Sequence, residues 1–394
     1  MENLLIFTAL GLTAALLIWP RLANATIWRA MSTPLASIIG SGFLVLGPIL
    51  IASYGKYAPV AMLALCGFAY LFGATIRFNI AAIQTGNRPR MAQHFELLAS
   101  WLLSFAYIIS VAYYLNLLGA FAVRLTPFDS PLSARLLTSA IYAVILVTGW
   151  FYGFAALERL EQISVGIKLA VIAGLLAALG YFFAGQMAQD ALVISPVSLT
   201  GWPALTLAFG LLISVQGFET SRYLGDEYNA RTRIRSMKLA QGLASVIYMI
   251  YILLLAYVFA PDQQHLSETA IIDMMQIVAP VLPFLLVIAA LSAQFSAAIA
   301  DTSGAGGLLE ELTGNRLQPR YAYLLLVLVG LVLTWGANVF EIIAYASRAF
   351  ALYYGAQALI AAVTAQRGGK AWLFTSLAIF GFVVAIFGHA VEGS

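Results

Sequence analysis

The chain has 394 residues, of which 62% are hydrophobic and 9% charged, against about 45 to 50% and 25% in soluble domains. That composition puts most of the chain in a lipid bilayer. At about 20 apolar residues per crossing, it leaves no stretch large enough for a separate soluble domain. The net charge of +3 is scattered along the sequence, so no basic patch supports nucleic-acid binding. One cysteine (Cys66) and three histidines (His94, His265 and His389) lie far apart and cannot assemble the ligand sets of zinc or iron–sulfur sites. No metal or cofactor is expected, and no nucleotide-binding motif points to ATP as the energy source.

Apolar runs between turn residues predict twelve helical spans of an all-α polytopic bundle. In chain order they cover 4–19, 34–54, 58–78, 95–120, 136–154 and 160–183, then 203–224, 239–259, 277–300, 321–335, 340–364 and 372–389. The chain reads as one membrane domain. An extra N-terminal helix lies within 1–28, a first five-helix run within 29–184, a second within 200–366, and a final helix within 367–394. The small residues Ala23-Asn24-Ala25 after the first apolar run imitate a signal-peptide cleavage site. The segment before that run carries Glu2 and no Lys or Arg, whereas Arg21 and Arg29 follow the run, so a retained span is expected.

The basic residues orient the spans, because cytoplasmic loops carry an excess of Lys and Arg. Arg21 and Arg29, Arg77, Arg88 and Arg90, Arg159, the cluster Arg222 to Lys238, Arg316 and Arg320, and Arg367 and Lys370 all fall in alternate loops. The opposite side keeps Lys56, Arg124 and Arg135, and its longest loop carries Asp262, Glu268 and Asp273. Both termini are therefore expected outside, in the inner (cytoplasmic) membrane of a bacterium.

Two spans carry a glycine interruption at their centres. The first of each five-helix run reads Ser37-Ile38-Ile39-Gly40-Ser41-Gly42-Phe43 and Ser214-Val215-Gln216-Gly217-Phe218-Glu219-Thr220. A single such cluster is explained equally well by close helix packing. Paired interruptions at corresponding places are a pointer to a transporter's midplane site.

On these residues the sequence resembles the amino acid, polyamine and organocation (APC) transporters with the LeuT-type fold, over about 34–370. The resemblance is carried by Ile39-Gly40-Ser41-Gly42-Phe43, by Gln216-Gly217-Phe218-Glu219 with Glu227 downstream, by the run Leu160 to Lys168, and by Ser292 to Leu309 followed by Asn315 to Arg320. It implies a five-plus-five inverted repeat with broken first and sixth helices, to which the N-terminal helix is an addition. A twelfth helix after the last predicted one and an Asn-Pro at the exit of the sixth helix are common in that family and missing here.

Several residues then acquire expected roles. Freed amides at Gly40, Ser41 and Gly42 suit a carboxylate at a helix start. Freed groups at Gln216 and Gly217 suit an ammonium, so the two ends describe an amino acid or related amine. Phe218 is read as a pocket wall or gate against the alternative of facing lipid, and Tyr113 as a site-lining residue. Lys168 matches a family Lys that stands where sodium-coupled relatives bind a cation, with Ser292 and Ser296 the nearest hydroxyls. Its alternative is a fixed charge tying its helix to carbonyls of the first broken helix. Glu219 is expected to respond to protons, or else to pair with Arg222 one turn on. Arg348, read as buried mid-span, needs a partner, for which Glu219, Asp301 and a substrate carboxylate are the choices.

The function expected is secondary active transport of an amino acid or amine by alternating access, sodium-independent and either proton-coupled or by exchange. An ion transporter or a non-transporting sensor on the same scaffold is the alternative. No cluster suited to membrane enzymology is visible. The expected partners are the small-molecule substrate and the lipid bilayer.

Overall fold

The computed structural model describes residues 2–390 apart from 41, 87–88, 152–154, 226, 261–265 and 367, with the side chains of 155–162 also left aside. Every regular element among these residues is helical. The N-terminal helix α1 (Glu2–Ile18) is followed by a short α2 (Pro20–Ala23). The first glycine-interrupted span is two helices, α3 (Thr26–Ile38) and α4 (Gly42–Tyr54). Then come α5 (Ala58–Thr85), α6 (Arg90–Val123), α7 (Pro131–Phe151) and α8 (Ala155–Ala188).

The second interrupted span is again in pieces: α9 (Gly201–Gly210), a 3-10 turn (Leu212–Val215), an extended stretch through Gln216, and α10 (Thr220–Tyr223). It leads into α11 (Ala230–Ala256). The short α12 (Ala270–Val278) occupies the loop before α13 (Leu282–Leu312). The chain closes with α14 (Pro319–Gly336), α15 (Val339–Ala365) and α16 (Gly369–Phe387).

These helices fall on the predicted runs, with boundary changes that alter the site. The helix predicted over 277–300 is split, because the backbone turns extended at Ala279 and α13 starts only at Leu282. At its other end α13 continues to Leu312, so Asp301 lies well inside a helix rather than at its exit. Likewise α5 runs on to Thr85, where Gly86 in the left-handed region (φ 67°) caps it. Arg77, expected at the very end of its span, is therefore well inside a helix and is 5% exposed.

Eight of the described helical stretches are long and apolar enough to cross a membrane. Of the pieces of the two interrupted spans, α3, α9 and α10 fall short in length, whereas α4 runs on into α5 as one continuous stretch, Gly42–Thr85. The 27-residue α15 is different: it spends its buried face on Ser347, Tyr353, Tyr354 and Gln357, polar groups that other helices satisfy.

In the interior, α6 packs along α13 and α15, and α15 along α16. On the other flank α11 packs against α5 and α3. The added helix α1 lies along α8. The helix ends that carry Arg77, Arg90, Arg222 and Arg231 gather at one end of the bundle, called here the arginine-rich end.

Candidate functional site

A helix that stops inside an apolar bundle leaves amides and carbonyls that must find partners there. The two interruptions lie against each other. A Cβ on Gly42 would sit 2.6 Å from the Ser214 Cα, and one on Gly217 would collide with Ser37. Gly217 also has φ 115°, a backbone setting that side chains strongly disfavour. These glycines therefore allow two unwound backbones to touch.

The freed groups are then satisfied by side chains from neighbouring helices. The Tyr248 hydroxyl from α11 lies 3.0 Å from the Ile38 carbonyl and 2.6 Å from the Ser214 carbonyl. It joins the end of α3 to the break after α9. Ser347 of α15 donates to the Gly210 carbonyl (2.7 Å) and accepts from the Ile213 amide (2.9 Å). Both residues are fully buried.

Within the second break, Glu219 is fully buried. Its Oε2 accepts from the Gly217 amide (3.0 Å) and lies 2.8 Å from the Tyr354 hydroxyl, while Oε1 has no partner among the described residues. The same Tyr354 hydroxyl lies 3.0 Å from Gln216 Oε1. Phe218 is also fully buried, stacked on the Tyr354 ring with centroids 5.0 Å apart. It does not face lipid. Gln216, Gly217, Phe218, Glu219 and Tyr354 thus form one buried cluster, of which sequence reasoning missed only Tyr354. One of several tyrosines in a helix gives no signal of which one faces a break.

A second carboxylate lies nearby. Asp301, 3% exposed, accepts a hydrogen bond from Ser110 of α6. The Tyr107 carbonyl lies 3.0 Å from the same Ser110 hydroxyl, and both Tyr107 and Tyr114 are buried. Tyr113 is buried with its ring 5.3 Å from that of Tyr114. Two helical turns from Asp301, on the same face of α13, stands Gln294, fully buried and with neither amide atom partnered among the described residues. Ser110, Asp301 and Gln294 were invisible as a set, because the helix of Gln294 was predicted to end before Asp301 and nothing in the sequence places α6 against it.

Lys168 on α8 is 2% exposed, and its Nζ donates to the Ala36 carbonyl of α3. One turn earlier, Ser164 donates to the Ser292 carbonyl of α13 (2.8 Å). Lys168 therefore stands where α8 meets both the first broken helix and α13. The hydroxyls of Ser292 and Ser296 lie on the same stretch of α13, Ser296 being 8% exposed. Gly40 and Gly42 flank the first break, and Ser41 lies outside the described residues.

The burial expected for Arg348 and the two pairings considered for Glu219 are not what the structure has. Arg348 is exposed, and its Nε donates to the Ala385 carbonyl of α16 (2.7 Å). Glu219 and Asp301 are held by other groups inside, so of the three partners considered for Arg348 neither carboxylate side chain is taken. Arg222 does not turn back to Glu219 either. It forms an ion pair with Glu96 of α6 and donates to Gln357 Oε1 of α15 (2.6 Å). Gln357 in turn accepts from Asn79 of α5 (2.8 Å). This network ties four helices together at the arginine-rich end, beneath the cluster around Glu219.

A bundle of apolar helices with two touching breaks at its centre, closed around buried carboxylates and tyrosines, defines an integral membrane protein built to handle a small solute. Residues 20–388 match the profile of a family described as APC superfamily transporter. A protein of Aquifex aeolicus (strain VF5), described as uncharacterized, is 39% identical, the similarity covering 100% of this chain and 98% of that protein. The chain belongs to the APC superfamily transporters.

Proposed function

We propose that the chain is a secondary active transporter of an amino acid or related amine, working by alternating access on a LeuT-type five-plus-five repeat of twelve crossings, and driven by protons rather than sodium. The substrate sits where α3–α4 and α9–α10 are broken. Its carboxylate meets the amides after Gly40, and its ammonium meets the carbonyls and side chains around Gln216 and Gly217. Lys168, reaching the Ala36 carbonyl, supplies a fixed cation at the place where sodium would otherwise bind.

The observation that carries the proton is the position of Tyr354. A phenol has one proton, and its oxygen lies within 3.0 Å of acceptors on both Glu219 and Gln216. With Glu219 protonated, the acid donates to Tyr354 and Tyr354 donates to the Gln216 carbonyl oxygen. With Glu219 ionised, Tyr354 donates to the carboxylate, and the Gln216 amide must turn to present its NH₂. Proton binding at Glu219 therefore reverses the chain and changes which atom of Gln216 is left for the substrate. That exchange of donor for acceptor is a physical link between proton and solute.

The test is uptake into liposomes holding the purified protein, with imposed pH or sodium gradients and a panel of labelled amino acids and amines preselected by thermal stabilisation. An inward proton gradient is expected to drive accumulation without sodium. Glu219→Gln and Tyr354→Phe are expected to keep solute exchange and lose the pH-driven part. Accumulation that needs sodium, or pH-driven accumulation that survives Glu219→Gln unchanged, overturns the proposal.

A further inference from the structure

Behind α3 the structure opens a cleft of about 660 Å³, lined by none of the residues of the cluster around Glu219. Leu10 and Leu17 of α1 form one wall, Trp28 and Arg29 of α3 the other, Gly166 of α8 the floor, and Leu285 of α13 the far end. All the lining is apolar except at its mouth, where Arg29 and Ser32 stand. The Ser32 hydroxyl is already used, donating to the Trp28 carbonyl (3.1 Å). The Arg29 guanidinium is exposed and has no side-chain partner among the described residues.

The dimensions and chemistry select the occupant. From Leu10 to Ile18 the wall rises roughly 12 Å at 1.5 Å per residue, close to the roughly 15 Å depth of one leaflet's hydrocarbon. A further helix is too wide, since α1 and α3 are held together by the four-residue α2 and a helix with side chains needs about 10 Å. A polar solute gains nothing from the apolar walls. The arginine lies at the arginine-rich end, the side that the distribution of basic residues assigns to the cytoplasm, where anionic lipids concentrate. Guanidinium groups bind phosphate through paired hydrogen bonds, and the cleft residue Trp28 next to Arg29 is of a type enriched at the headgroup level.

We propose that this cleft is a binding site for one anionic phospholipid of the arginine-rich leaflet, its acyl chain lying between α1 and α3 on α8 and its phosphate on Arg29. The bound chain presses on the face of α3 opposite the interrupted backbone. Lys168, which holds α3 through the Ala36 carbonyl, lies between the cleft residues Ile167 and Ala170 on α8. The lipid thereby braces the half-helix that must move if the site is to open.

Gly166 gives a clean test, because a Cβ added there meets no atom within 4 Å. Gly166→Leu fills the cleft without disturbing the helix, and Gly180→Leu, equally open on the same helix, is the control. The full-length protein is delipidated in mild detergent, and palmitoyl-oleoyl phosphatidylglycerol or phosphatidylcholine is titrated in. Bound lipid is counted by native mass spectrometry and stability by thermal melting. The wild type and Gly180→Leu are expected to retain one phosphatidylglycerol, preferred over phosphatidylcholine by about fivefold or more. Arg29→Gln should bring the two lipids to parity, Arg29→Lys should keep part of the preference, and Gly166→Leu should lose the tight lipid while melting no lower than the delipidated wild type. Equal binding of both lipids by the wild type, or retention of the tight lipid in Gly166→Leu, overturns the proposal.

Discussion

The Arg222–Glu96 pair is where a single charge change should alter which side of the protein opens. Arg222 rides on α10, directly after the second break, and Glu96 on α6. Any movement of the broken helix away from α6 must part them. Their side chains are 6% and 22% exposed, so the pair is largely withdrawn from water on the arginine side. Removing one partner of a buried pair costs about 3 to 5 kcal/mol. Here Gln357 Oε1 still accepts from the other guanidinium nitrogen at 2.6 Å and Glu96 is partly solvated, which lowers the expected loss for Glu96→Gln to about 2 to 3 kcal/mol. Because the loss falls on the closed arrangement alone, opening at the arginine-rich end should rise about 30- to 150-fold. Ser221 reports this directly: it neighbours Arg222, is fully buried, and its hydroxyl has no partner among the described residues. In a Cys66→Ala background, Ser221→Cys should react slowly with a maleimide from the arginine-rich side, and much faster once Glu96→Gln is added. The double variant Glu96→Gln with Arg222→Gln should recover part of the closed state, since no uncompensated charge remains. Unchanged labelling in Glu96→Gln, or losses in thermal stability that simply add in the double variant, would refute the clasp.

Other outcomes follow from the same geometry. Ser347→Ala removes the donor to Gly210 and the acceptor for Ile213, and should lower stability by about 1 to 3 kcal/mol in a thermal or denaturant melt; Ser347→Thr, which keeps the hydroxyl, should lose less. Tyr248→Phe leaves two buried carbonyls with one partner fewer and should weaken substrate binding as well as stability, read by isothermal titration with whichever solute stabilises the wild type. Gly217→Ala meets both a positive φ and the Ser37 side chain, and should abolish transport even where expression is retained. Lys168→Ala should remove gradient-driven accumulation while leaving membrane insertion intact, measured by uptake and by size-exclusion profile; undiminished accumulation counts against the fixed-cation role.

How much of this could be read from the residues depends on the kind of signal each one leaves. The helical runs were legible because bilayer burial demands long apolar stretches, and the breaks because glycine clusters recur at corresponding places in two runs. Side chains that satisfy the breaks were not legible. Tyr248 and Ser347 sit in ordinary helical stretches, and only the approach of α11 and α15 to the freed backbone gives them work. The mistaken pairings have the same origin. Glu219 and Arg222 are one helical turn apart at the start of α10, and the Arg222 amide even donates to the Glu219 carbonyl (2.8 Å), but each side chain is met by a different neighbouring helix. Spacing of one turn allows a pair but does not force it: Tyr354 of α15 meets the carboxylate and Glu96 of α6 meets the guanidinium, so the two charges diverge.

That divergence has a consequence for how the two ends of the site are linked. Tyr354 and Gln357 lie three residues apart on α15, on one helical face, and each holds a different member of the second break: Tyr354 the carboxylate of Glu219, Gln357 the guanidinium of Arg222. The helix α15 therefore grips the break at two levels about 4.5 Å apart along its axis. A change in the direction of the Glu219–Tyr354–Gln216 chain at the upper level is felt by the same short segment, residues 216–222, that the Arg222–Glu96–Gln357 network clamps at the lower one. On the proton coupling proposed above, proton occupancy and closure of the arginine-rich end would both act through α15 on this one short segment. On that arrangement, Glu219→Gln should change labelling of Ser221→Cys with pH from a titrating signal to a flat one, while Glu96→Gln should raise labelling at every pH and leave the titration in place. A Glu96→Gln variant whose labelling no longer varies with pH would show the two levels to be a single switch, and the separation argued from α15 would fall.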